Sequence, residues 1–331
     1  MIPLYSSEQV RAAVPPTRAV ESVRKAFVAY ARGEWTMPPK VYVPAYPAGD
    51  FRAMPALGGG YALLKWVTSF PGNPQRGLPT VSGLVLVSSA EDGRLLAVLD
   101  AAAVTAVRTG AAAVLAAETL GRADAETAAV VGAGVNGEAA ALTFAELGRE
   151  PLVWDIDEER AAMVADRVGG RVASRERALA ADLLVTVTPG REVLLEAGSL
   201  RPGQHVSLMG ADGPGKAEIA LEELARIRAL PGGPGQPAAG QSNPSPRGRL
   251  YCDDWEQASH GGEFARAVDA GILTRADVVD LGRVLTGEAD GRQTDGDITL
   301  FDSTGLAIQD LAIAAAALEQ AARLEPKTLD L

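Results

Sequence analysis

Residues 127–155 read TAAVVGAGVNGEAAALTFAELGREPLVWD, and their spacing decides the fold. The apolar run Ala128 to Val131 leads straight into Gly132, Gly134 and Gly137, and an Ala-rich helical pattern follows to Leu147. Strand, GxGxxG and helix in that order form a dinucleotide fingerprint, because the glycines let the backbone approach a pyrophosphate seated on the helix N-terminus. In a chain with 36 glycines the motif alone is a weak signal. The next strand strengthens it: Leu152, Val153 and Trp154 run into Asp155, twenty-one residues beyond Gly134. An acid at that strand end accepts hydrogen bonds from ribose hydroxyls and repels a 2′-phosphate, so NAD is expected rather than NADP.

Working outward, a helical pattern from Glu158, the run DLLVTVTPG and the run HVSLMGADG continue the alternation of strand and helix. Such alternation implies right-handed βαβ units and a doubly wound parallel sheet. Ligands of open α/β sheets sit at the carboxyl ends of the strands, which points to Thr186, Thr188 and residues 207–212, Met209 among them. Threonines are equally at home in an ordinary buried strand. Before the fingerprint, residues 15–33 read as an amphipathic helix, and 61–67, 81–87 and 95–99 as strands bounded by turn residues. The Ala- and Leu-rich stretch 101–120 reads as a helix with a domain border near its end. Residues 231–249 are dominated by Gly, Pro, Ser and Gln and read as a surface loop. After them, ITLFDSTGLAIQD gives a short strand, a turn at Gly305 and a long helix that packs back on the N-terminal part.

Length and composition narrow the function. With 331 residues, 47% of them hydrophobic, the chain can bury a large core. Its net charge of -11 works against a nucleic-acid partner. One cysteine, Cys252, and two histidines provide neither a disulfide nor a metal site. The first residues, MIPLYSSEQVRAAVPP, carry no export signal, and residues 306–318 are interrupted by Gln309 and Asp310 and too short to span a bilayer. No membrane partner is expected, and a cytoplasmic location is.

Hydride transfer to a dinucleotide needs an acid/base group for the accompanying protons and, where the substrate is an anion, a cation to hold it. Charges set among apolar residues are the candidates: Lys65 in YALLKWVTSF, Asp212 after HVSLMG, Arg52 before MPAL, and Arg108 inside the Ala-rich helix.

The segments MPAL, LLKWVTSFPGNPQRGLPTVSG, AVTAVRTGAAA, VVGAGVNGE, MGADGPGKAE and ITLFDSTGLAIQD occur in that order and resemble the successive signatures of the ornithine cyclodeaminase and mu-crystallin family. The resemblance implies an α/β protein: a Rossmann-type doubly wound parallel sheet (119–302) plus a discontinuous α+β dimerisation/substrate domain (1–118 and 303–331). It also implies a homodimer. Lys65 and Asp212 match the family's catalytic pair, and Thr80, Arg108, Asp155, Thr186 and Lys216 match positions that touch the dinucleotide. Thr109 is grouped with them. Val135 and Asn136 would reach the pyrophosphate through backbone donors, while Arg52, Lys65, Arg108 and Thr304 would meet a small amino-acid or 2-oxo-acid substrate. The stretch 231–249 departs from the family pattern.

Within the family, the cyclodeaminase branch carries a glutamate thirteen residues ahead of the lysine, where this chain has Arg52. An arginine suits a carboxylate and repels an ammonium. The cyclodeaminases' carboxylate-binding arginine would fall near Val41, which is apolar. WEQASHGGEF and FDSTGLAIQD look closer to the alanine dehydrogenases. Oxidation of L-alanine, or of a similar small amino acid, is therefore the first expectation. Ornithine cyclodeamination or cyclic ketimine reduction is the second, and dinucleotide binding without catalysis the third.

Overall fold

The computed structural model describes residues 1–190, 192–211, 213, 215–230, 247–320 and 323–330. In chain order the elements begin with β1 (Ile2–Tyr5), α1 (Ser7–Ala13) and α2 (Pro16–Ala31). Strands β2 (Val41–Ala45), β3 (Gly49–Gly58), β4 (Tyr61–Ser69), β5 (Val81–Ser89) and β6 (Leu95–Asp100) follow, then helix α3 (Ala101–Leu120). The fingerprint region contributes β7 (Ala128–Val131), α4 (Val135–Glu146), β8 (Pro151–Trp154), α5 (Glu158–Val168), β9 (Arg171–Val172), α6 (Arg175–Leu179), β10 (Leu183–Thr186) and β11 (His205–Leu208). Then come α7 (Leu221–Ala229), β12 (Gly248–Cys252), α8 (Trp255–Gly261), α9 (Ala265–Asp269), β13 (Val278–Asp280), α10 (Leu281–Leu285) and β14 (Ile298–Asp302). The chain closes with α11 (Ala307–Leu318) and β15 (Lys327–Leu329).

These elements form two compact units, residues 1–108 with 306–331 and residues 109–305. The boundary falls inside α3, ten residues before the border that composition suggests. The cause is close packing: a Cβ on Gly110 would lie 2.6 Å from the backbone of Ala139, so from there on the helix is seated against α4. Helix α3 is long and apolar enough to cross a membrane, yet 78% of its most apolar window is buried within the protein, as in a core helix.

Unit 1 carries a seven-stranded sheet in the order β15-β1-β6-β5-β4-β3-β2. It is antiparallel apart from the β1–β6 pair. In β4 the buried residues Leu63, Lys65 and Val67 alternate with the more exposed Leu64, Trp66 and Thr68, as a sheet covered on one face requires. Helix α11 covers the buried face, and α2 packs against α11.

Unit 2 carries an eight-stranded, fully parallel sheet in the order β13-β12-β14-β11-β10-β7-β8-β9. Strands β7, β8 and β9 progress one way and β10, β11 and β14 the other, so the switch point lies between β7 and β10. The mixed α/β, doubly wound fold expected from the alternation is therefore present. Residues 231–246 of the Gly- and Pro-rich stretch lie outside the described residues. Gly248 and Arg249, expected in that loop, instead open β12. A Cβ on Gly248 would meet the Ile227 carbonyl at 1.8 Å, and Arg249 pairs with the buried Asp297 at 2.9 Å, so close packing and a buried charge fix what composition alone reads as loop.

Candidate functional site

In unit 1, Lys65 stands on the covered face of β4, directly across from Met54 of β3, and the same face carries Arg52 and Asp50. Lys65 is 1% exposed, and its Nζ donates to Asp310 Oδ1 at 2.9 Å. Asp310 projects from α11 and is itself fully buried. Arg108 Nε approaches the same oxygen at 3.5 Å, and Arg108 Nη1 donates to Gln309 Oε1 at 3.3 Å. Three buried polar atoms of this group, Arg108 Nε, Asp310 Oδ2 and Gln309 Nε2, have no hydrogen-bond partner among the described residues.

Arg52 is held differently. Its Nε and Nη2 close on the two oxygens of Asp50 at 2.6 and 3.2 Å, and its guanidinium lies 5.3 Å from the Tyr42 ring centre. The group thus gathers three cations against two carboxylates in a largely buried space. Burial pushes the Lys65 ammonium down to about 8, the Asp310 carboxylate acts in the opposite sense, and the Arg108 and Arg52 cations push it further down. A lysine in that range exchanges protons near neutral pH, and the unsatisfied polar atoms beside it are suited to a charged, polar ligand.

In unit 2 the fingerprint behaves as its glycines demand. Gly132 has φ +104°, and a Cβ on Gly137 would sit 1.7 Å from the Gly132 carbonyl, which only glycines permit. Gly134 is exposed and would meet nothing within 4 Å, leaving the backbone at the start of α4 open to a ligand's approach. Val135 is exposed and Asn136 half-buried at the same helix start. Asp155 ends β8 as expected, but its carboxylate also works on the backbone. Oδ2 accepts from the Ala133 N–H at 2.6 Å and Oδ1 from that of Asp157 at 2.9 Å. The residues present therefore fit a dinucleotide: a glycine turn, a free helix N-terminus and an acid fixed beside them.

Across the switch point, Thr186 is buried, Thr188 half-buried and Met209 buried at the ends of β10 and β11. Sequence reasoning missed what holds them. Glu218 is fully buried, and its two oxygens accept from Thr186 Oγ1, Thr188 N and Oγ1, and Gly210 N at 2.7 to 3.0 Å. Glu263 in turn accepts from the Glu218 N–H, and Asp302 from the Phe264 N–H. Burial raises Glu218, pushes Glu263 well up and lifts Asp302 to about 8, with Asp253 also raising the last. Among the described residues, no group of three or more His, Cys, Asp or Glu side chains is arranged to hold a metal ion.

Thr304 lies in unit 2 and donates to Asp253 at 3.3 Å, whereas Arg52, Lys65 and Arg108 lie in unit 1. Thr80 is half-buried in unit 1, where its carbonyl accepts from Phe70; Thr109 is buried and Lys216 half-buried in unit 2. Asp212 lies outside the described residues. The partners Gln309 and Asp310 also escaped sequence reasoning, which treats them only as interruptions of an apolar stretch. The available signal was a carboxylate on an otherwise apolar helix, which needs a buried cation.

The ornithine cyclodeaminase/mu-crystallin family model matches residues 4–233 and 245–324, passing over part of the Gly- and Pro-rich stretch. An alanine dehydrogenase of Archaeoglobus fulgidus is 40% identical over 328 residues, covering 96% of this chain and 94% of its own. Among solved structures, an archaeal alanine dehydrogenase dimer with bound NAD is 36% identical and superimposes with a TM-score of 0.88, covering 100% of this chain and 99% of that one. The Δ1-pyrroline-2-carboxylate reductase of Thermococcus litoralis, in complex with NADH and L-proline, is 25% identical with a TM-score of 0.86, covering 99% of this chain and 100% of that one.

Proposed function

Because the chain belongs to the ornithine cyclodeaminase/mu-crystallin family, we propose that it is an NAD-dependent dehydrogenase of a small L-amino acid, L-alanine first, releasing the 2-oxo acid and ammonia. The observation that carries the choice is the buried cation group around Lys65. It presents positive charge and unsatisfied polar atoms to a carboxylate, with Arg52 at the position thirteen residues ahead of Lys65. The 40% identity to an alanine dehydrogenase supports the same choice.

NAD, when bound, supplies the hydride acceptor. Unit 2 offers the start of α4 to the pyrophosphate and Asp155 to the adenosine ribose. In unit 1, Arg108 takes the substrate carboxylate, because its guanidinium is only loosely engaged by Gln309 and Asp310. Arg52 is already closed on Asp50 and adds charge without being the main anchor. Lys65, with its ammonium lowered to about 8, holds and returns the proton exchanged as water adds and ammonia leaves. Asp212 is its partner by resemblance to the family's pair.

We further propose a homodimer formed through the uncovered face of the unit 1 sheet. That face exposes Leu84, Trp66 and Leu64 (52%, 42% and 39%) beside Val41, Val43 and Leu57. Contiguous apolar surface of this kind marks an association face. Trp66→Glu should shift the mass measured by light scattering from dimer to monomer; an unchanged mass would place the interface elsewhere. A buried Cys252 and an acidic surface suit a cytoplasmic enzyme.

The deciding assay offers L-alanine, L-ornithine, L-lysine and L-proline with NAD, and pyruvate with and without ammonia under NADH. Pyruvate reduction that requires ammonia establishes the alanine dehydrogenase. The likeness to the Thermococcus litoralis reductase favours cyclic imine reduction as the second reading, and NADH oxidation by Δ1-pyrroline-2-carboxylate without any on pyruvate and ammonia would establish that instead.

A further inference from the structure

The residues facing the fingerprint across the switch point are held by a group that itself lies below them. A Cβ on Gly132 would meet the Val187 carbonyl at 2.8 Å and the Thr188 methyl at 3.2 Å, so residues 187–188 form a wall directly against the fingerprint turn. The β7 ladder reaches the first residue of the wall, where the Val187 N–H donates to the Val131 carbonyl at 2.9 Å, and β10 itself ends at Thr186. What fixes Thr188 beyond it is Glu218. Oε1 takes both the backbone N–H and the hydroxyl of Thr188, while Oε2 takes the Thr186 hydroxyl and the Gly210 N–H. One carboxylate thereby ties the end of β10 to Gly210, two residues beyond β11. The backbone of Glu218 is anchored too: its N–H is held by Glu263, and its carbonyl accepts from Leu194 and Leu195.

We propose that Glu218 is the positioning residue of the dinucleotide cradle, holding Thr188 and Gly210 in place beside the turn at Gly132. The inference rests on the proposal that unit 2 binds a dinucleotide. Four donors converge on two oxygens, so no neutral side chain of similar size can satisfy them all. A glutamine keeps one acceptor oxygen and turns an N–H₂ toward donors on the other side, which separates either Thr188 or the Thr186–Gly210 pair from its anchor.

The test is NADH binding, read by fluorescence titration of the full-length protein, in wild type, Glu218→Gln, Glu218→Ala and Thr188→Val, with thermal midpoints measured alongside. Val278→Ala, on β13 at the far edge of the sheet, serves as a control of reduced stability. Glu218→Ala is expected to raise the Kd for NADH at least tenfold and Glu218→Gln by less, with Thr188→Val showing the smallest rise. Val278→Ala should keep the wild-type Kd at a similar loss of thermal midpoint. Should Glu218→Ala not fold, Glu218→Gln and Thr188→Val carry the test. Affinities within twofold of wild type in the Glu218 variants, or an equal loss in Val278→Ala, overturn the positioning role while leaving dinucleotide binding intact. Absence of NADH binding by the wild type overturns both.

Discussion

In unit 1, Lys65 and Arg108 share a single oxygen of Asp310 and leave three buried polar atoms without a partner among the described residues, whereas in unit 2 Glu218 spends both of its carboxylate oxygens on backbone amides and threonine hydroxyls. Both regions bury charge at high desolvation cost, yet the compensation differs in kind. Backbone donors are rigid, so Glu218 is saturated and serves to hold chain segments. Side-chain cations crowding one oxygen are incompletely satisfied, so the unit 1 group retains the capacity to bind an anion and to exchange a proton. How completely a buried charge is satisfied separates scaffold from reactive group here more clearly than burial does.

The comparison can be broken most directly at Lys65. Lys65→Met should lower turnover roughly 10²- to 10⁴-fold while the Kd for NADH stays near wild type. If turnover survives, the unit 1 group is structural and the contrast disappears. The pH dependence sharpens the same point. With Lys65 working as the neutral amine, kcat/KM should rise with pH through about 8. Asp310→Asn removes the carboxylate that raises Lys65 and should move that inflection to lower pH; an inflection that stays in place would assign it to another group.

Arg108→Gln comes next in size. Losing a charge-assisted pair to a substrate carboxylate should raise the KM for the amino acid by about 10- to 100-fold, with a smaller effect on kcat. Equal losses in Arg52→Gln would contradict the distinction drawn between a loosely held and a closed guanidinium. In unit 2, Asp155→Ser should reduce the NAD over NADP preference by roughly tenfold and weaken NAD itself, because the Ala133 N–H loses its acceptor as well. A preserved cofactor ratio would confine Asp155 to holding the turn.

The smallest effect concerns stability. Asp302 is lifted to about 8 in the folded protein, chiefly by burial and then by Asp253, while it also faces Glu218 and accepts from Phe264. A carboxyl raised in this way contributes stability that is complete below its unfolded value near 4 and is lost as pH rises through about 8. Asp302→Asn should therefore raise the thermal midpoint at pH 9 by roughly 3 °C and change it little at pH 5. The opposite pattern, a gain at pH 5 alone, would show that the folded carboxyl is ionised throughout.

The sequence by itself determined the glycine turn, the alternation of strand and helix, the acid at the end of β8 and the oddity of Lys65 among apolar residues. These follow from local constraints: a positive φ at Gly132, period-two burial along β4, and the cost of a lone charge in an apolar run. Only the tertiary structure decided which groups answer those charges. Asp310 meets Lys65 across 245 residues, and Glu218 reaches Thr186 and Thr188 from about thirty residues away. The unit boundary falls within a helix that composition treats as uniform, because Gly110 permits a contact visible only once α4 lies against it. Backbone requirements are written at short range along the chain. The pairing of buried charges is set by topology, which brings distant residues together and leaves no periodic trace in the sequence.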